Sequence, residues 1–331
     1  MSPKIDPDNV RIFSGRSNPS LAAGIANYLG VPLSETAAQH FANDCLGVQL
    51  SDSVRGRIVY IVQSLTSPVQ ENLMELLMML DIARNAAAKE VHAIIPYYAY
   101  ARSDKKDAPR ISITARLVAD LLKTAGATHV MTMQLHTPQV HGFFSLPTDP
   151  LTARGLFVSH LRQYEFDPET AVVVAPDAGI AKSAARLARL LGLAIAVGSK
   201  QRFSDTNVKI SKTIKKQVKG YDCAIIYDDE ISTGSSVVEL SRILLKSGVS
   251  RICVVCTHGL FSGQAIERLN SIPQIEAVIT TDTVPPPSKE ALPTLRVLSV
   301  AETFGEAIRK NYHHESIGSL FTFWEDDDDS E

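Results

Sequence analysis

Short apolar runs rich in Val, Ile and Ala alternate along most of the chain with stretches whose apolar residues recur every three or four positions. "GRIVYIVQ" predicts a strand, "ENLMELLMMLDIARNAAA" a helix and "EVHAIIPYY" another strand; "TARLVADLLKTAG" then predicts a helix before the strand "THVMTMQL". After the turn-rich "HGFFSLPTDP" the order resumes with "AVVVAPD", "AKSAARLARLLG" and "AIAVGSK". "AIIYDDE", "VVELSRILLKSG" and "RICVVCT" follow, and then "EAVITTD" and "LRVLSV". Several of these strands are apolar on both faces, as strands are when helices cover both sides of a parallel sheet. The predicted class is α/β.

A faint repeat runs through the pattern. "YIVQSLTSPVQENLMEL", ending at Leu76, can be laid over "AIIYDDEISTGSSVVEL", ending at Leu240; both read strand, small polar loop, helix. This suggests two copies of one α/β domain, with the chemistry kept mainly in the second. The length of 331 residues suits two domains. Lys and Arg number 33 against 36 Asp and Glu, a net charge of −3 that argues against a general nucleic-acid binder. No apolar run approaches the ~18 residues of a membrane span, and "MSPKIDPDNVRIF" lacks the apolar core of a secretion signal. Of the four cysteines, Cys45, Cys223, Cys253 and Cys256, the last two form a C-x-x-C inside "RICVVCTHGL". On a strand those two point to opposite faces, and no second Cys/His pair completes a zinc site, so core packing in a reduced, cytoplasmic protein is expected. The tail "WEDDDDSE" reads as a solvated acidic run.

Candidate chemistry sits where strands end, since ligands of open parallel sheets lie beyond the carboxyl ends of the strands. In "IIYDDEISTGSS" an apolar run leads into Asp228 and Asp229, and then into Thr233-Gly234-Ser235-Ser236 ahead of a predicted helix. Backbone N–H groups and hydroxyls at a helix start favour a phosphate, and the preceding carboxylates can accept hydrogen bonds from sugar hydroxyls. No G-x-x-x-x-G-K-[ST] occurs, so this is not a P-loop. His136 follows "VMTMQL" and Asp177 follows "AVVVA"; an imidazole and a carboxylate at two strand ends could share a divalent ion. Lys200 and Arg202 follow "AIAVGS".

Apolar residues, two acids and a Thr-Gly-rich loop resemble the phosphoribosyl-pyrophosphate loop of type I phosphoribosyltransferases. "VRGRIVYIVQS", "NLMELLMMLDIAR", "IPYYAYARSDKKDAPRISITARLVADLL", "LHTPQVHGFF", "APDAGIAK" and "THGLFSG" narrow the resemblance to the ribose-phosphate pyrophosphokinase family, over about Ile12 to Phe321. The resemblance implies two tandem phosphoribosyltransferase type I-like domains, each a mainly parallel sheet flanked by helices. They would span 10–150 (the ATP side) and 151–322 (the sugar-phosphate side), with 323–331 as an acidic disordered tail. It implies diphosphate transfer from ATP to ribose 5-phosphate, serving nucleotide biosynthesis in the cytoplasm. The same resemblance gives Mg2+ on His136 and Asp177, and Lys200 and Arg202 as catalytic cations on a mobile flap. Ribose 5-phosphate would be held by Arg202, Asp228, Asp229, Ser232, Thr233, Gly234, Ser235 and Ser236.

ATP would be held by Phe41, Asn43, Asp44, Cys45, Arg102 and Ser103, between domains or subunits. The chain departs from the family pattern at several of these places: Gln134, Asn43, Cys45 and Ser232 stand where acids are usual, and Ser103 where glutamine is. Ser53, Arg55 and Ser316 match a regulatory site for phosphate or ADP, in which Gly318 replaces a serine, and the family forms hexamers. Two other readings are a non-catalytic regulatory subunit, which should lose the Lys-x-Arg or the metal pair, and a salvage phosphoribosyltransferase, which would lack the doubled domain.

Overall fold

The computed structural model describes residues 5–321 apart from 199, 205–206 and 211–213; of 200–204 and 207–210 it describes the backbone alone. These residues form two compact units. The first takes everything up to Thr152, then Thr283–Pro285 and everything from Ser299 on; the second takes Ala153–Asp282 and Pro286–Leu298.

In the first unit a six-stranded parallel sheet runs in the order Leu33–Ser34, Val10–Ser14, Ile58–Val62, Glu90–Ile95, His129–Met133, Thr148–Leu151. In the second the order is Ala194–Val197, Ala171–Ala175, Cys223–Ile231, Arg251–Gly259, Ile275–Thr281, Leu295–Leu298, again all parallel. Each sheet begins at one edge with its second strand, then its first, then the other four in chain order. Each also throws out an antiparallel ribbon after that edge strand: Thr36–His40 with Leu46–Leu50, and Lys200–Ser204 with Asn207–Ile210. The repeat faint in the sequence is plain in the fold, and two tandem parallel α/β units flanked by helices are what the pattern led us to expect.

The strands are Val- and Ile-rich because both faces are covered: Val172, Val173 and Val174 are fully buried, as are Ala224, Ile225 and Ile226 beside them. Cys223, Cys253 and Cys256 are free and buried, and burial pushes the Cys256 thiol up to about 12, as core packing requires. One expectation is not met. The last helix, Ala301–Tyr312, lies with the first unit, not in a domain running from 151 to 322. There it packs on helix Pro19–Leu29, with the Tyr28 hydroxyl 3.2 Å from Glu306 Oε2, and Asn311 Oδ1 accepts the Tyr60 hydroxyl at 3.0 Å. Residues 323–331 lie outside the described residues.

A chain of titratable side chains crosses the first sheet. His92 Nε2 lies 3.2 Å from Glu90 Oε2, His92 Nδ1 3.0 Å from His129 Nδ1, and His129 Nε2 3.0 Å from Asp149 Oδ2, while Tyr60 stacks on His92 at 4.5 Å. Burial, then the His129 charge, lowers the His92 pKa from 6.5 to about 3; Glu90, 34% exposed and screened by water, does not offset this. Because the folded value lies below the unfolded one, the unfolded chain takes up the proton first. Stability is therefore full above pH 6.5 and declines as pH falls toward 3, by up to ~1.4 kcal/mol per pH unit. Melting temperatures measured between pH 7 and 4 should show this limb flattened in His92→Gln; an equal slope in both proteins would clear His92.

Candidate active site

The strand Cys223–Ile231 lies in the interior of the second sheet, between Ala171–Ala175 and Arg251–Gly259. Pairing continues through Glu230 with His258 and Ile231 with Gly259, so the acids are strand residues and not a turn. Asp229 is 6% exposed and Asp228 half-buried, with Asp228 Oδ1 accepting the Asp229 N–H at 2.9 Å. The chain then turns through Ser232, Thr233 and Gly234 into helix Ser235–Leu245. Gly234 adopts φ 70°, ψ −3°, a left-handed conformation that side chains resist, and this brings the first N–H groups of the helix to the end of the sheet.

Two anchors hold this loop. Ser262 N–H donates to Ser232 O at 2.9 Å, and Arg268 Nη1 donates to Thr233 O at 2.8 Å and Ser235 Oγ at 3.0 Å. Arg268 belongs to helix Ala265–Asn270 and went unremarked in the sequence, where "AIERLN" reads as an ordinary solvated helix. Thr233 Oγ1 and Ser235 Oγ are 3.2 Å apart, and Ser236 is half-buried.

Asp177 stands two residues past the strand Ala171–Ala175. Its Oδ1 accepts the N–H of Gly179 at 2.9 Å and of Ile180 at 3.4 Å, fixing the carboxylate ahead of helix Ala181–Leu191. Gly198 donates to Ala175 O at 2.8 Å, and a Cβ there would lie 2.5 Å from Pro176 O. Only a bare backbone passes so close, and it leads two residues later into the strand carrying Lys200 and Arg202. Alternation puts those two residues on one face of the strand, paired with Ile210 and Val208; their side chains lie outside the described residues. The strand Asn207–Ile210 lies against the helix Ser235–Leu245 that starts at the loop.

In the first unit His136 is exposed three residues beyond His129–Met133. The turn before it is built by Gln134, buried at φ 45°, whose N–H donates to Leu151 O at 2.9 Å. Thr137 Oγ1 donates to Asp104 Oδ2 at 2.7 Å, bringing the charged 101–110 loop to the His136 turn. Arg102 is exposed at the end of a 3₁₀ turn. Ser103 Oγ lies 3.1 Å from the Thr114 N–H and 3.2 Å from Ser112 O, so its hydroxyl holds the start of helix Thr114–Ala125. The 41–45 stretch is the tip of the first ribbon. Phe41 is 53% exposed, Phe41 N–H donates to Cys45 O at 2.8 Å, Asp44 sits at φ 66°, and Asn43 Oδ1 accepts the Cys45 N–H at 3.2 Å.

Paired parallel α/β units, one with an acidic strand end feeding a Thr-Gly-Ser loop at a helix start, offer a site suited to a phosphate-bearing ligand. Residues 10–126 match the N-terminal domain of ribose phosphate pyrophosphokinase, and residues 206–322 match the phosphoribosyl synthetase-associated domain. A Streptomyces coelicolor relative is 50% identical over 95% of this chain and 98% of its own length. The ribose-phosphate pyrophosphokinase of Deinococcus radiodurans is 45% identical over 94% and 97%. The crystal structure of phosphoribosylpyrophosphate synthetase from Mycobacterium smegmatis matches with a TM-score of 0.85 at 36% identity, over 92% of this chain and 99% of that one. The chain belongs to the ribose-phosphate pyrophosphokinase family.

Proposed function

We infer that the chain is a ribose-phosphate diphosphokinase, converting ATP and D-ribose 5-phosphate to AMP and 5-phospho-α-D-ribose 1-diphosphate. The observation that carries this reading is the 228–236 segment, whose buried and half-buried carboxylates run straight into a glycine-turned helix start. The sugar hydroxyls are read by Asp228 and Asp229, and its 5-phosphate is held at the Ser232–Ser236 loop. The anomeric hydroxyl attacks the β-phosphorus in line, the bond to the α-phosphate oxygen breaks, AMP leaves with the electron pair, and the hydroxyl proton passes to solvent. No protein nucleophile is needed. Lys200 and Arg202 stabilise the charge that spreads over the phosphoryl oxygens.

Mg2+ fits the donor set as an ion carried mainly by phosphates and water. Among the described residues no three His, Cys, Asp or Glu converge into a cage; the resemblance alone is what proposes His136 and Asp177 as its protein ligands. Bound there, the ion would neutralise phosphate charge. Arg102 reaches the nucleotide phosphates or base, and the 41–45 tip carries adenine recognition. Ser103, with its hydroxyl engaged in its own loop, contributes mainly by shaping that loop. Phosphate or ADP regulation through Ser53, Arg55 and Ser316, a hexameric assembly and a cytoplasmic setting complete the proposal. The chain keeps both the Lys-x-Arg and the His136/Asp177 pair, which speaks against a purely regulatory subunit.

AMP release from ATP and ribose 5-phosphate, with and without inorganic phosphate, tests the reading; no AMP under either condition sinks it. Nucleotide choice should be loose, because Asn43 Oδ1 is occupied within its own turn and Cys45 offers only a thiol. We expect kcat/KM for GTP within about tenfold of that for ATP. Discrimination of ~10³ or more would assign base reading to backbone groups instead.

A further inference from the structure

Arg154 opens helix Arg154–Leu161 and is 1% exposed, ranking first by size among the fully buried side chains of the described residues. One turn further on, Phe157 meets the ring of Tyr227 edge-on, with centroids 6.4 Å apart. Residues three apart share a helix face, so Arg154 lies on the side of the helix turned to that strand. Residues two apart share a strand face, so Tyr227 and Asp229 point the same way. Helix and strand thus gather a buried guanidinium and a buried carboxylate around one phenol. The Tyr227 hydroxyl registers both: burial raises its pKa to about 12, Arg154 pulls it down, and Asp229 and Asp228 push it up. A guanidinium and a carboxylate are each costly to bury alone and tolerable together. A cation at a helix start also opposes the helix dipole, which adds to the need for a nearby anion.

We propose that Arg154 is a positioning residue for the sugar substrate: it anchors the Asp229 carboxylate against which the ribose hydroxyls are read, without touching the sugar itself. This rests on the assignment of 228–236 to ribose 5-phosphate. In the sequence "LTARGLF" reads as an ordinary helix start, and nothing there marks the arginine.

Steady-state kinetics and melting curves on Arg154→Met, Arg154→Lys, Asp229→Asn and the Met/Asn double variant test the pairing. Arg154→Met should raise KM for ribose 5-phosphate by ~10-fold or more and leave KM for ATP within about twofold, with Arg154→Lys recovering part of the loss. The double variant should be no worse than Asp229→Asn alone, because both changes break one interaction. Asp229→Asn by itself should lower Tm by roughly 5 °C or more, since it strands a buried cation. Additive losses in the double variant, or equal increases in both KM values, overturn the proposal. If Arg154→Met yields no folded protein, the melting curve of Asp229→Asn decides: an unchanged or higher Tm sinks the pairing. The two assignments fail differently. Asp229→Asn with a normal sugar KM removes the sugar site, whereas a defective Asp229→Asn beside a silent Arg154→Met removes this proposal alone.

Discussion

Lys200→Ala should lower kcat by ~10²-fold or more while KM for either substrate changes far less, a loss of about 3 kcal/mol of transition-state stabilisation. Lys200 begins the ribbon strand Lys200–Ser204, two residues after the Gly198 backbone passes Pro176, and Asp177 follows Pro176 directly. The backbone of that strand starts beside the end of the sheet where the diphosphate is proposed to transfer. Charge redistributes over the phosphoryl and leaving oxygens as the transition state forms, so an ammonium aimed there acts more on the transition state than on bound substrate. The ribbon's partner strand lies over a helix and adds no strand to either six-stranded sheet, so the change should move Tm by no more than about one degree. Kinetics and a melting curve on one preparation decide. Near-normal turnover, or loss of activity only through unfolding, would move Lys200 from catalysis to scaffold.

Gly234→Val should raise KM for ribose 5-phosphate by roughly 10- to 100-fold and leave KM for ATP nearly unchanged. The cause is backbone geometry more than bulk. A Cβ at this position would meet Ala265 O at 3.4 Å, close to ordinary contact, but φ is +70°, where a β-branched residue costs ~1–2 kcal/mol or more. The loop would relieve that strain by rotating the Gly234 peptide, which turns the first N–H groups of helix Ser235–Leu245 away from the phosphate. Tm should fall by roughly 2–4 °C for each kcal/mol lost. Gly234→Asn, which tolerates the left-handed region, should keep most of the sugar affinity. An unchanged sugar KM in the valine variant would defeat the assignment of the phosphate to this loop.

Sheets and helices were legible because runs such as "AVVVA" and "AIIY" have no polar face to spend on solvent, and because "TARLVADLLKTAG" keeps its apolar residues on one side. The loop at 232–236 was legible from its glycine and hydroxyls. The strand before it was legible through Glu230 as the run "AIIYDDE", and its backbone pairs with Arg251–Gly259 as far as Ile231. Ser103 and Asn43 were assigned to ATP on resemblance. Their hydrogen bonds, to Ser112 and Thr114 and to Cys45, depend on loop paths that periodicity does not report. Arg268 and Arg154 gave no signal because an arginine in a helix reads as solvated until the neighbouring elements are placed. The last helix, Ala301–Tyr312, was not read in the sequence; the spacing of its apolar residues says that one face is covered, not which unit covers it.

That last helix sets an order of events during synthesis. The first unit is interrupted in the chain by the second and is completed only by residues from Ser299 onward, including Asn311, which receives the Tyr60 hydroxyl. A ribosome delivers Ala153–Asp282 and Pro286–Leu298, all of the second unit, before it delivers the helix that closes over Pro19–Leu29. The unit that starts first therefore finishes last, contrary to the usual amino-to-carboxyl order of domain completion. Until the helix arrives, the apolar residues of Pro19–Leu29 that it covers stand open to solvent, and the nascent chain carries that exposed surface through nearly its whole synthesis.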